Sequence, residues 1–324
     1  MKGFNEYGLV YSDGYAETMN EKVLPALAEK RKAIDVTGKD GTKLYASRYD
    51  AENPKGTVFI IHGFTENAEK FSELTYSLLE NGWSVVAYDQ RGHGKSGRDM
   101  GINDLSLTHV DKFTDYTDDL LQVTEAVKDL PKPWMIFGHS MGGAVTVMFL
   151  ENHPGMFDKA VLCAPMIAPR RGGLPMWLSK LICGGARLLG IGKMRIFISK
   201  PWDGPEEFET SCATSRERFD WYDALKVKTE EYHNNGSTYS WTMEAISVTK
   251  KLLAKGMPEK VTIPVRLYTA KDDNQVFPEA QERIVARMPN AKRITVPGSK
   301  HEIYRSTDEV FFPWWQDILA FLEA

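Results

Sequence analysis

The sequence predicts an α/β fold: a mostly parallel, eight-stranded sheet with helices on both faces and one inserted, mainly helical cap. Three observations predict it. Short apolar runs alternate with helical periods along most of the chain. One apolar run, Trp134 to Phe137, leads directly into GHSMGG at 138–143 and then a helix-prone stretch from Ala144 to Asn152. The alternation fails once, from about Pro165 to Thr262, a stretch too long for a loop inside a compact domain.

The elements follow in order. Residues 15–32 read as an amphipathic helix, with Met19, Val23, Leu24 and Leu27 as its stripe. Ala33 to Val36 and Lys43 to Tyr49 alternate like strands around the turn signal Lys39-Asp40-Gly41, which makes a hairpin and an antiparallel edge. Thr57 to Ile61 is continuously apolar, as in a strand covered on both faces. Then come a helix from Ala68 to Glu80, a strand from Ser84 to Tyr88 and a helix from Asp111 to Leu130. Ala160 to Cys163 is the strand after the Ala144–Asn152 helix. Beyond the irregular stretch lie strands at Val265 to Tyr268 and Arg293 to Val296, a helix at Pro278 to Arg287, and a closing helix from about Thr307 to Leu322. The expected divisions are an N-terminal helical extension at 1–32, a core at 33–164 and 263–324, and a cap at 165–262. No strand is expected within the cap.

Composition excludes several classes. A net charge of −4 provides no basic field for nucleic acid. Three cysteines, Cys163, Cys183 and Cys212, form no paired framework and suit a reducing compartment. The first twenty residues show no apolar secretory core, and no run of about 18 apolar residues exists, so a cytoplasmic protein is expected. No H-E-x-x-H and no cysteine–histidine ligand spacing appears, so neither a metal nor a cofactor is expected.

The chemistry is read from G-x-S-x-G at 138–142. On a sharp strand-to-helix turn this pattern exposes the serine hydroxyl, and Gly138 and Gly142 are needed where a side chain would strike the neighbouring strand or helix. A serine needs a base in hydrogen-bond reach, and the base needs an orienting acid. Seven histidines are present. Three follow Ser140: His153 at the far end of the elbow helix, His233 in the cap, and His301 in the loop after the last strand. His301 lies at the carboxyl end of the sheet, where this class of fold places its site. The acid belongs in the loop after Val265–Tyr268. Asp273 is taken there with Asp272 as its rival, because spacing alone does not separate them. The oxyanion donors are the N–H of Met141, next to the nucleophile, and of Phe64, in the loop His62 to Glu66. His62 and Glu66 are expected to shape that loop. The glycine-rich run at 89–97 has no P-loop order and is expected to brace the site.

The cap carries an apolar stripe at helical spacing: Leu174, Trp177, Leu178, Leu181, Ile182, Leu188 and Leu189. It fits a helix packed on the core. It also fits a greasy lid whose Trp177, Leu178 and Leu181 bind an acyl chain, or a surface in peripheral contact with a membrane.

HGFTEN at 62–67, DQRGHGKSG at 89–97, GHSMGG at 138–143 and GSKHEI at 298–303 together resemble the α/β-hydrolase superfamily, in its branch of monoacylglycerol lipases and bacterial lysophospholipases. SRERFDWY at 215–222 and GSTYSWTMEAI at 236–246 resemble the lysophospholipase branch in particular. The resemblance covers nearly all the chain after the first 30 or so residues. It implies a nucleophile at Ser140, a base at His301 and oxyanion amides at Phe64 and Met141. The acid of the family sits in a G-x-x-D segment, which favours Asp273, although Ala270 stands where that glycine would be. It implies a serine ester hydrolase acting on a lipid monoester or other small ester. A small aryl or alkyl carboxylesterase, an aminopeptidase-like hydrolase, and a ligand receptor without catalysis are the alternatives.

Overall fold

The computed structural model describes residues 3–99, 101–170 and 174–324. Its strands are β1 (Arg31–Thr37), β2 (Lys43–Tyr49), β3 (Thr57–Ile61), β4 (Ser84–Tyr88), β5 (Leu107–Thr108), β6 (Trp134–His139), β7 (Lys159–Cys163), β8 (Gly236–Ser237), β9 (Val265–Ala270) and β10 (Ala291–Val296). Its helices are α1 (Tyr15–Thr18), α2 (Leu24–Lys30), α3 (Ser72–Glu80), α4 (Thr114–Ala126), α5 (Met141–Asn152), α6 (Met176–Leu188), α7 (Arg216–Lys228), α8 (Tyr239–Leu252), α9 (Pro278–Val285) and α10 (Asp308–Glu323).

Eight strands form one sheet in the order β1-β2-β4-β3-β6-β7-β9-β10. Only β2 runs against its neighbours; the other pairs are parallel. Side chains alternate across a strand, so β3 sends Phe59 and Ile61 to one face and Val58 and Ile60 to the other, and both sets are buried. The first face packs under α4, α5 and α9, through residues such as Leu120, Val145 and Ile284. The second packs under α3 and α10, through Leu74, Leu78, Trp314 and Ile318. Because β3, β6, β9 and β10 are parallel, their following loops gather along one edge of the sheet.

Three details depart from the sequence reading. The helix expected at 15–32 is broken by a π-helical turn at Met19–Val23, and β1 begins already at Arg31. The helix expected from Asp111 starts at Thr114 and ends at Ala126. The insertion between β7 and β9 does hold a strand: β8 pairs in parallel with β5 and ties the insertion to the main sheet domain. Two residues on each side are too few to leave an alternating pattern.

The N-terminal segment packs on both parts of the molecule. Tyr15 meets the edge of Trp221 at 6.0 Å between ring centroids, and Trp221 Nε1–H donates to Asn20 at 3.0 Å. Arg218 of α7 is buried at the junction. It donates to Val10 O and Asp308 Oδ1, both at 2.8 Å, and contacts both oxygens of Glu73 at 3.2 Å.

Candidate active site

At the β6–α5 turn Ser140 has φ 49° and ψ −115°, a left-handed conformation that a non-glycine residue rarely takes. Neighbouring backbone holds it there. Ser140 N–H donates to Cys163 O at 3.0 Å, and Ser140 O accepts from Met166 N–H at 2.8 Å and Ala144 N–H at 3.2 Å. Gly142 is needed for close approach, since a Cβ there would overlap the carbonyl oxygens of Ile61 and His62.

The structure brings three of the expected residues into one chain of contacts. His301 Nε2 lies 2.8 Å from Ser140 Oγ, and His301 Nδ1 lies 2.7 Å from Asp273 Oδ2. All three are buried. Asp273 Oδ1 accepts the N–H groups of Gln275 at 2.8 Å and Val276 at 3.1 Å. Burial is the largest influence and would raise the Asp273 pKa, but the hydrogen bond and charge of His301 together with the N–H groups of Gln275 and Val276 outweigh it and hold the carboxyl below its usual value. Asp272, the rival, is exposed. His153 caps the far end of α5, and His233 stacks on Trp202 at 3.5 Å within the insertion.

Phe64 and Met141 flank the serine from the β3 loop and the first turn of α5. Among the described residues neither backbone N–H has a hydrogen-bond partner. The left-handed residue of the loop is Thr65, with φ 62°, and not Gly63. Gly63 is instead sterically required, because a Cβ would come within 2.6 Å of Glu66 Oε2 and 3.1 Å of Ser140 Cβ.

A buried polar network stands behind the loop, far more extensive than the loop-shaping roles expected for His62 and Glu66. Glu66 accepts from Gly63 N–H at 2.5 Å, meets His139 Nδ1 at 2.8 Å and Lys70 Nζ at 3.0 Å, and accepts the Tyr304 hydroxyl. Lys70 also reaches Glu302 at 2.6 Å, as does Arg305. His139 Nε2 lies 3.3 Å from the carbonyl of His301. Burial favours a neutral Glu66, yet His139 and Lys70 together hold its carboxyl well below the usual range. Burial likewise works to lower the His139 pKa, and the Glu66 carboxylate outweighs it and raises the value. This network joins the β3 loop, the elbow and the His301 loop. His62 serves the same loop in neutral form: it accepts from Gln90 N–H at 2.8 Å, and burial lowers its pKa to about 4. The run at 89–97 braces it through Asp89, which accepts from Ala68 N–H at 2.7 Å and Lys95 N–H at 2.8 Å.

A cavity of about 200 Å³ lies beside the site, between α6, α8 and the loops at 169–170 and 196–198. Its lining is mostly apolar and includes Leu174, Ile182, Ile196, Trp241 and Ile246. Trp241 stacks on Phe64 at 4.0 Å, and Arg170 N–H donates to Gln275 O at 2.8 Å in the Asp273 loop. Trp177, Leu178 and Leu181, expected at the substrate, do not line this cavity. The buried residues of α6 are the small ones, Ser179, Cys183 and Ala186, which let the helix pack closely on α8. At 100° per residue this turns Trp177, Leu181 and Leu188 outward, and they are 67%, 64% and 91% exposed. Leu178 lies half-buried at the side.

Residues 52–308 match the model of the serine aminopeptidase S33 family. The chain belongs to this family. It is thereby an α/β hydrolase, and curated relatives similar to it carry hydrolase names. Lysophospholipase L2 of Escherichia coli is 29% identical over 86% of this chain and 84% of its own length. A monoglyceride lipase homolog of monkeypox virus is 31% identical over 79% of this chain and 85% of its own. The crystal structure of Paleococcus ferrophilus monoacylglycerol lipase superposes with a TM-score of 0.68 at 19% identity, covering 86% of this chain and 98% of that one, which shows the shared fold.

Proposed function

We propose that this S33 hydrolase cleaves carboxylic esters through an acyl-enzyme on Ser140, with a lipid monoester of the lysophospholipid or monoacylglycerol type as substrate. The observation that carries the reading is the relay from Ser140 through His301 to Asp273 at 2.8 and 2.7 Å. His301 Nε2 takes the hydroxyl proton as Ser140 Oγ attacks the ester carbonyl. Asp273 keeps the other imidazole proton on Nδ1 and balances the imidazolium charge. The Phe64 and Met141 N–H groups hold the oxyanion. His301 then protonates the leaving alcohol, and a water activated by the same imidazole releases the acid. No step calls for a metal or cofactor.

The lipid assignment rests on the apolar cavity, on the outward face of α6, and on the names of the relatives. In this reading residues 165–262 are a cap over a core of 33–164 and 263–324, with 1–32 as an extension. Leu174 and Ile182 receive the acyl chain. Trp177 and Leu181 take the other role open to them, contact with a lipid surface. Among the described residues no helix is long and apolar enough to cross a membrane, so such contact would be peripheral.

Hydrolysis of lysophospholipids, monoacylglycerols, short p-nitrophenyl esters and aminoacyl anilides tests the substrate. Each fully buried methylene contributes about 0.8 kcal/mol, so even two of the six extra methylenes of an octanoyl ester should raise kcat/KM about tenfold over the acetyl ester. A maximum at acetyl would favour a small-ester carboxylesterase, and turnover of anilides alone a peptidase. Separately, the double variant Trp177→Gln, Leu181→Gln should lose most co-sedimentation with phosphatidylglycerol vesicles while keeping its activity on soluble short esters. Undiminished co-sedimentation would remove the membrane role.

A further inference from the structure

Outside the serine site, one cluster of side chains has no place in the hydrolysis. His109 follows β5 and is buried. Its Nδ1 lies 2.9 Å from Thr238 Oγ1, in the residue that caps α8. Its Nε2 has no hydrogen-bond partner. That nitrogen instead faces two carboxylate oxygens, Asp99 Oδ2 at 3.4 Å and Asp111 Oδ1 at 3.3 Å. All three ligand atoms lie within 4.8 Å of one another.

We propose that Asp99, His109 and Asp111 form a zinc-type divalent-cation site on the main sheet domain, where His109 meets Thr238 of the insertion. The distances support it. Four ligands held at 2.0–2.1 Å around zinc are about 3.3–3.4 Å apart along each tetrahedral edge. The two measured separations match that edge, and they are too long for well-formed hydrogen bonds. One nitrogen and two carboxylate oxygens are an ordinary zinc donor set, with the fourth position left to water on the open Asp111 side. Thr238 supports the imidazole from behind, as such partners commonly do. Lys193 holds Asp99 through the other oxygen, Oδ1, at 2.7 Å, so Oδ2 stays turned to the imidazole.

The consequence is mechanical. Thr238 Oγ1 also accepts Trp241 N–H at 3.1 Å, and Trp241 stacks on Phe64. A cation at His109 would therefore fix the first turn of α8, and with it the wall shared by the cavity and the serine site.

The test uses the full-length protein, stripped with chelator and titrated with Zn²⁺ in a calorimeter and in thermal melts. One equivalent should bind, and at a hundredfold excess over Kd the Tm should rise by roughly 5 °C. Asp111 is largely exposed, so Asp111→Asn should fold normally and weaken binding by about tenfold or more. Asp99→Asn should do the same. Mg²⁺, which demands octahedral oxygen ligands, should give no comparable shift. The proposal is overturned by an absence of Zn²⁺ binding. It is overturned equally by binding that persists in both variants, as at His301, or by Mg²⁺ matching Zn²⁺.

Discussion

Ser140→Ala is expected to lower kcat for p-nitrophenyl ester hydrolysis by roughly 10⁴- to 10⁶-fold, the range seen when a triad nucleophile is removed. It should also abolish labelling by fluorophosphonates. The fold should survive, because the backbone bonds that hold the strained turn come from the main chain of residue 140 and not from its hydroxyl. Asp273→Asn provides the complementary result. The asparagine amide would fit the same space and still accept from Gln275 and Val276 N–H through its oxygen. Its NH₂ group would then face His301 Nδ1 and move the imidazole proton to Nε2, where Ser140 needs a lone pair. The expected loss is about 10⁴-fold in kcat with little change in KM. Retained turnover in Ser140→Ala would remove the serine mechanism. A mild Asp273→Asn phenotype would leave the nucleophile and discard the acid.

The second large effect concerns stability. Arg218→Ala should cost about 3–5 kcal/mol, because removing one partner of a buried ion pair leaves the other without compensation. Arg218 is 1% exposed and links four parts of the chain: the N-terminal segment at Val10, α3 at Glu73, α7 on which it stands, and α10 at Asp308. Glu73 keeps Val10 N–H at 2.9 Å and the Tyr15 hydroxyl at 2.8 Å, so Glu73→Gln should recover part of the loss. Arg218→Lys should not restore it, since an ammonium cannot supply the planar fork. A melting temperature within about 2 °C of the unchanged protein would show that the junction is not a keystone of the fold.

Local sequence determined a good deal of this protein. The apolar runs named every strand of the main sheet, and the elbow motif named Ser140, because strand burial and the tight turn depend on residues adjacent in the chain. The position of His301 after the last strand followed from chain order. Other features required the packed molecule. Ser140 and His301 meet across 161 residues, and the parallel strand order is what carries them together. Asp272 and Asp273 share a loop and a chemistry; the family pattern favours Asp273, and the fold buries Asp273 against His301 while Asp272 stays exposed. The period of α6 revealed an amphipathic helix without revealing which side faces inward. Small residues packed close to α8, and Trp177 and Leu181 were left outside. His139 and Glu66, 73 residues apart, meet only where the elbow passes the β3 loop. Asp99, His109 and Asp111 follow no ligand spacing that a motif could flag, and no metal was expected from them. The pairing of β5 with β8 sets Thr238 behind His109. Sequence periodicity reports which residues can be buried, whereas the pairing of distant segments decides what each buried group faces.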